Sequence, residues 1–183
     1  ITDILRKGRY EFALQWERIT AAHNSNCGYD NATSSRNMGH LYIALSKKER
    51  EDKYQQYAYR EKATKEFLSL PNDKLTEKMK SIIHSNIWKS VEIAEEISEG
   101  EKDMQKKVKW LRKGAENCSD LIPELLKQYQ KKKEFQLWKE VGFRTLENKE
   151  KKLSHRYIES REALWKSHNS AMRHFNGDVP TGY

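Results

Sequence analysis

The sequence is short of the residues that make turns, cross-links and membrane spans. Its 183 residues include only three Pro, eight Gly and two Cys. So few turn formers argue against a turn-rich all-β protein. Cys27 and Cys118 form no spaced motif, so we expect neither a disulfide framework nor a zinc site, and a reducing compartment is the simpler interpretation. No apolar run approaches the ~18 residues of a transmembrane helix, and no signal-peptide pattern opens the chain.

Charged and aromatic side chains, in contrast, are plentiful. Charged residues make up 34% of the chain and hydrophobic residues 36%, which is below the ~45–50% apolar content of typical globular chains. Five Trp, nine Tyr and five Phe nevertheless argue against a disordered polyelectrolyte. This composition is typical of long helices packed along narrow apolar seams. We therefore predict an all-α fold, an elongated bundle of three to four long helices with coiled-coil-like packing.

Helix-breaking residues set the predicted domain organisation. We predict one elongated helical domain over 1–176, followed by a flexible tail over 177–183. The predicted elements of the domain are a short first helix over 3–23, a loop over 24–34, and long helices over 35–70, 73–118 and 121–176. On the first helix, apolar residues spaced seven, four and three apart predict a seam along one side, formed by Leu5, Phe12, Trp16 and Ile19.

The strongest pattern is a near-heptad series along the third predicted helix. Its positions are Met79, Ile83, Asn86, Ser90, Ile93, Ile97, Met104, Val108, Leu111, Ala115 and Cys118. Asn86, Ser90 and Gly100 weaken this seam, which is expected where a bundle bends or another side chain leans in. Two interpretations fit the breakers that follow at 119–123, a hairpin or a Pro kink within one helix. The poor helix formers at 117–120 favour the hairpin.

Signals for catalysis and for metal binding are missing. None of the six His has a Glu three positions before it, as a helical di-iron site requires. The sequence has no Gly-x-Ser-x-Gly, no phosphate-binding glycine loop and no dinucleotide fingerprint. We therefore expect no catalytic residue, no metal and no cofactor, and we do not expect an enzyme.

Basic residues are concentrated in one stretch. Residues 105–133 hold nine bases and three acids, a net charge of +6 in a chain whose net charge is +8. A hairpin at 119–123 is expected to bring two basic arms alongside each other and to form one positive tip. Such a tip suits anionic lipid, because each base near a charged membrane contributes about 1 kcal/mol; an ordinary solvated lysine face is the alternative. The candidate lipid- and anion-binding residues are Lys106, Lys107, Lys109, Arg112, Lys113, Lys127, Lys131, Lys132 and Lys133.

The five Trp lie near the predicted seams, and packing is the expected role for most of them. Trp110 is different because it stands among bases, in the segment KKVKWLRK. It is the candidate for insertion into a lipid interface.

Two stretches resemble the BAR domains of sorting nexins. The segment from Leu121 to Tyr129, LIPELLKQY, resembles the LxPxLxxY segment near the start of a long helix in that family. Residues 139–141, residues 155–159 and Phe175 resemble its final helix. The resemblance implies a dimer whose curved basic face senses or imposes membrane curvature on endosomes. It also implies a cytoplasmic protein that lies peripherally on membranes.

The predicted partners are a second or homologous chain and an anionic membrane. Self-association is expected because a thin bundle leaves seam residues such as Ile93, Ile97 and Trp138 partly uncovered. Two other functions stay open, a helical scaffold or adaptor for other proteins and, on the strength of the net charge of +8 and pI of 9.3, a nucleic-acid binder. The sequons at Asn31 and Asn117 leave secretion as the disfavoured alternative.

Overall fold

The computed structural model describes residues 2–176 and residue 178, with side chains from residue 7 onward. Every regular element in these residues is helical, which confirms the all-α class. The helices are α1 Thr2–Asn26, α2 Ala32–Lys48, α3 Lys53–Leu68, α4 Glu77–Gly100, α5 Met104–Ser119, α6 Gln128–Glu147 and α7 Leu153–Phe175, with short 3-10 turns at Asn72–Lys74 and Pro123–Leu125. Apart from Asp178, the tail predicted at 177–183 lies outside the described residues.

The three long helices predicted from the sequence are each divided in two, so the described residues form seven helices where three to four were expected. The interruptions fall at 49–52, 101–103 and 148–152. Asp52 and Asp103 cap the helices that follow, since their carboxylates accept the N–H groups of Gln55 at 3.0 Å and Gln105 at 2.9 Å. An N-terminal cap satisfies backbone donors that a helix start leaves open. The predicted loop over 24–34 is also shorter, because α1 continues to Asn26 and α2 begins at Ala32.

The chain forms two compact units, residues 1–90 and residues 91–183, and the boundary falls within α4. In the first unit, α1 packs on α2 and α2 packs on α3. The α2–α3 contact is close, because the Phe67 ring lies over Gly39 and is fully buried. A Cβ on Gly39 would overlap that ring.

A polar group lies inside the first unit. Buried Arg60 donates to Ser46 at 2.9 Å and to Asn86 Oδ1 at 3.0 Å. The Asn86 amide in turn donates to the Arg60 carbonyl at 3.0 Å and to Thr64 Oγ1 at 2.9 Å. Asn86 of the heptad series is therefore a place where another side chain leans in, which is one of the two alternatives that its pattern left open.

The heptad seam predicted from Met79 to Cys118 is confirmed. Ten of its eleven residues are buried, and Met104 is half-buried. The expectation that Ile93, Ile97 and Trp138 stay partly uncovered is wrong, because their exposed fractions are 1, 5 and 3%. Helices α5 and α6 cover this part of the seam within one chain.

Three of the four seam residues predicted on the first helix face solvent instead of the core, and the side chain of the fourth, Leu5, lies outside the described residues. Phe12, Trp16 and Ile19 are 69, 64 and 64% exposed. The opposite side of α1 lies on α2 and buries Leu14. Spacing identified the residues that share a face, but this face is not covered by the described part of the chain.

The second unit contains the hairpin that the sequence favours over a kink. Ser119, at the end of α5, donates to Glu134 Oε1 of α6 at 2.9 Å. Further along, a Cβ on Gly114 of α5 would lie 3.5 Å from Leu137 of α6. Ser119 thus lies beside Glu134, and the earlier residue Gly114 lies beside the later residue Leu137. The two helices are therefore antiparallel.

The two halves of the chain share one local architecture. The same three elements occur twice with an offset of 51 residues. Helix α5 begins 51 residues after α3, the second 3-10 turn begins 51 residues after the first, and α6 begins 51 residues after α4. Burial repeats with the same offset: buried Ala63, Phe67 and Leu70 correspond to buried Gly114, Cys118 and Leu121. Helix α7 begins 49 residues after α5 and buries the corresponding face. The fold is therefore an internal repeat of helical hairpins.

Substitution of glycine by alanine tests this close packing. Gly39→Ala is expected to cost about 1–3 kcal/mol of unfolding free energy, because the methyl group overlaps the buried Phe67 ring. Urea unfolding followed by circular dichroism measures the change. Gly114→Ala is the matched control, since its methyl group meets neighbours at ordinary contact distances of 3.5 and 3.6 Å. If the two variants are equally stable, Gly39 is not a packing requirement.

Candidate functional site

Small side chains let α7 lie close against α6. A Cβ on Gly142 would stand 2.7 Å from the Leu164 side chain. Ser160, Ala163 and Ser167 are buried on α7, and the Ser167 hydroxyl donates to the Phe135 carbonyl at 3.1 Å. The small residues of α7 therefore serve the fold, and its large apolar residues lie on another face.

Those large residues line a groove beside the α6–α7 contact. The groove has a volume of about 800 Å³ and is lined by Leu146, Tyr157, Ile158, Ser160, Arg161, Glu162, Leu164, Trp165 and His168. Tyr157, Ile158 and Trp165 are 68, 67 and 64% exposed. The Trp165 and His168 rings stack with centroids 5.7 Å apart. Exposed apolar side chains that lie together with polar ones in this way are a candidate for an interaction surface.

The internal repeat shows that the fold does not need a large apolar side chain at position 165. Trp165 corresponds to Lys65 of α3 and to Glu116 of α5, and both of these charged residues are exposed. The position thus carries a charge in the two other hairpins at no cost to the burial pattern. Tyr157 differs, because it corresponds to Tyr57 and Val108, which are buried. Trp165 is therefore the addition to the repeat.

A buried polar network joins α5, α6 and α7 near this surface. The Glu134 and His174 side chains are 4 and 7% exposed, and His174 Nε2 lies 2.8 Å from Glu134 Oε2. The other Glu134 oxygen accepts from the Ser119 hydroxyl at 2.9 Å and lies 3.7 Å from Arg173. The buried carboxylate is therefore satisfied by groups from both neighbouring helices.

A cleft of about 330 Å³ opens on this network. Lys166 stands over the Trp138 ring at 4.5 Å from its centroid, and desolvation raises the pKa of Asp120. Burial and the Glu134 and Glu95 carboxylates raise the pKa of Cys118, which keeps this cysteine an unreactive thiol. The arrangement holds helices together and offers no activated nucleophile.

The nine predicted anion-binding residues are not gathered at one tip. The first arm, 106–113, lies along α5, and Lys106 is thirteen residues, or about 20 Å, from the hairpin turn. The second arm, 127–133, begins at that turn. Because α5 and α6 are antiparallel, only the end of α5 lies beside the second arm. The expectation that the arms lie alongside each other is wrong.

Acidic residues also stand near the first arm. The second half of α4 packs on α5, where a Cβ on Gly114 would lie 3.6 Å from Ala94. Residues 92–103 carry six acids and one Lys, a net charge of −5, against five bases in 106–113. From the second arm, Lys133 binds Glu95 at 2.9 Å. Much of the positive charge is therefore offset by neighbours in the fold.

The tryptophans divide between core and surface. Trp138 is buried, Trp88 and Trp110 are half-buried, and Trp16 and Trp165 are exposed. Trp110, the candidate for lipid insertion, lies beneath Lys113, whose Nζ is 4.9 Å from the ring centroid. Sequence reasoning did not single out the α7 groove. The available signal was a second ladder on this helix, with Ile158, Arg161 and Trp165 at three- and four-residue spacing.

Comparison with protein-family models, with curated proteins and with solved structures found no match. Between residues 2 and 176, no three His, Cys, Asp or Glu side chains come together as metal ligands would. None of the helices in the described part of the chain is both long and apolar enough to cross a bilayer.

His174→Ala is expected to lower the unfolding free energy by about 2–3 kcal/mol, because it takes a partner from a buried carboxylate. Urea unfolding near neutral pH measures this loss. In the double variant with Glu134→Gln, the loss is expected to be smaller than the sum of the two single losses, since an amide is cheaper to leave buried than a charge. Additive losses would mean that the two side chains are not coupled.

Proposed function

We propose that this protein is a non-enzymatic helical scaffold that binds an amphipathic helix of a partner protein in the α6–α7 groove. The observation that carries the proposal is Trp165, a large aromatic residue at a position where both equivalent hairpins carry a charge. An exposed Trp adds no stability at a position that stays in solvent. In an interface it adds binding energy, because Trp is among the residues that dominate the binding energy of interfaces.

A helix is the partner chemistry that suits the groove. Eight of the nine residues that line the groove belong to α7 and one, Leu146, belongs to α6; Arg161 and Glu162 stand among its apolar side chains. Grooves of this kind accept a helix through apolar anchors at i, i+3 or i+4, and i+7, while charges at the rim fix its direction. An extended peptide would need a free sheet edge, and the described residues contain no sheet.

The Trp165→Lys variant tests the proposal, because it installs the residue that α3 carries at the equivalent position. Peptides selected on the wild-type protein from a library of helical sequences are expected to share apolar residues at helical spacing. Their affinity for Trp165→Lys is expected to fall about thirtyfold, the loss of one strong anchor. Fluorescence anisotropy measures the affinity.

Tyr29→Lys is the matched control, since it makes a similar change on an aromatic residue that is 68% exposed and lies outside the groove. It is expected to leave peptide affinity unchanged. Unfolding of Trp165→Lys is expected to stay within about 0.5 kcal/mol of wild type, because the side chain is mostly solvated. Selected peptides that bind Trp165→Lys as well as wild type would rule out the groove.

A second candidate function is binding to anionic membranes, to which the resemblance to sorting-nexin BAR modules points. The observation that favours it is Tyr129, an exposed aromatic residue beside Lys127, Lys131 and Lys132 at the hairpin turn. Aromatic residues flanked by bases suit the headgroup region of a bilayer.

The double variant Lys131→Glu/Lys132→Glu tests the membrane proposal. It spares Lys133, whose ion pair with Glu95 belongs to the fold. At about 1 kcal/mol per base, affinity for anionic vesicles is expected to fall about thirtyfold, as measured by co-sedimentation. Lys149→Glu/Lys152→Glu makes the same charge change at exposed positions between α6 and α7. If the two double variants weaken vesicle binding equally, the attraction arises from the net charge of the protein and not from the bases at the hairpin turn.

A further inference from the structure

Helix α1 carries an apolar ladder that points away from the rest of its unit. Phe12, Trp16 and Ile19 follow one another at four- and three-residue spacing and are more than 60% exposed. Arg9 and His23 extend the same ladder at its two ends, and both are exposed. The spacing is that of a coiled-coil seam, in which alternate steps of three and four keep one line of side chains facing a partner helix.

The orientation of this ladder is fixed by polar contacts on the other side of α1. Lys7 binds Glu49 at 2.7 Å, and Arg18 donates to the Tyr42 hydroxyl at 2.8 Å. Asn37 donates to Glu17 at 2.9 Å. Rolling α1 to bury its apolar ladder would break all three contacts and expose Leu14. The outward direction of the ladder is therefore the arrangement that unit 1 itself stabilises.

The residues beside the ladder indicate what covers it. The positions that flank a seam of this register are uncharged and mostly small: Gly8, Ala13, Gln15, Thr20 and Ala22. An interfacial membrane helix needs Lys and Arg along its flanks. Small uncharged flanks instead let a second helix approach closely, and they repel nothing when two identical helices meet.

We propose that the α1 ladder is a homodimer seam, occupied by α1 of a second copy of this chain in antiparallel orientation. With the twofold axis level with residue 14, Phe12 meets Trp16 of the second copy, and the reciprocal pair forms on the other side of the axis. The Arg9 stem then lies on Ile19 of the second copy. A parallel pair would place Arg9 beside Arg9 and align the two helix dipoles, which the antiparallel pair avoids.

The area available is enough for a dimer of moderate strength. Aromatic side chains bury about 150–250 Å² each, and the seam contains four of them with two Ile. Together with the flanking positions this approaches the ~1,200 Å² at which specific interfaces begin. Aromatic pairs at its centre supply the anchors that such a small interface requires.

The double variant Phe12→Glu/Trp16→Glu tests the seam by placing four carboxylates in it. Wild-type protein is expected to have twice the chain mass of 21.7 kDa in sedimentation equilibrium at high concentration. The variant is expected to remain at the single-chain mass, with dimer affinity at least about a hundredfold lower. Glu11→Arg changes an exposed residue of the same helix outside the ladder and is expected to dimerise as wild type does.

Cross-linking tests the orientation without disturbing the seam. Gly8→Cys and Ala22→Cys are made separately in a Cys27→Ser background; Gly8 has open space for a side chain, and Cys118 is buried. In the antiparallel seam, residue 8 of one copy lies beside residue 22 of the other. A short bismaleimide is therefore expected to link the two variants only when they are mixed.

Three results would overturn the proposal. They are a wild-type protein that stays at single-chain mass, cross-linking of Gly8→Cys to itself, and a dimer that survives Phe12→Glu/Trp16→Glu. Loss of binding to neutral vesicles in that variant, with a monomeric wild type, would assign the ladder to a lipid surface instead. The seam is independent of the α6–α7 groove, so Trp165→Lys is expected to remain dimeric whether or not the groove binds a helix.

Discussion

Helix α7 lies against α6 because glycine and serine stand where larger side chains would hold the two helices apart. Gly142 receives the Leu164 side chain, and Ser160, Ala163 and Ser167 present almost no bulk. Close packing of this kind gains dispersion contacts and needs few large apolar residues. The large residues of α7 are then free to lie outside the fold. The groove on α7 is formed by such residues, since Tyr157, Ile158 and Trp165 stay mostly exposed beside the helix–helix contact.

The buried residues of the third predicted helix could be predicted from the sequence, because the spacing of the seam continues across the helix break. Ile97 and Met104 are seven residues apart, so the interruption at 101–103 restarts α5 in phase with α4. The break itself was not readable in the same way. Asp52 and Asp103 stand in runs of charge that are as typical of a solvated helix as of a cap, and only the backbone N–H groups they accept distinguish the two.

Other features depend on geometry that spacing does not contain. A periodic pattern identified Phe12, Trp16 and Ile19 as one face of α1, but it does not say whether the chain or a partner covers that face. Likewise, the basic residues are close in sequence, yet an antiparallel hairpin spreads them along its length. The pairing of Lys133 with Glu95 joins residues 38 positions apart, and composition gives no indication of it.

The packing between helices that are neighbours in sequence has a consequence for how the chain folds. Contacts join α1 to α2, α2 to α3, α5 to α6 and α6 to α7, and the connections between these helices are eight residues or shorter. Short loops cost little entropy to close, and proteins built from such local contacts fold in microseconds to milliseconds. The nascent chain can therefore begin to fold as soon as two successive helices have emerged from the ribosome, before the second unit has been synthesised.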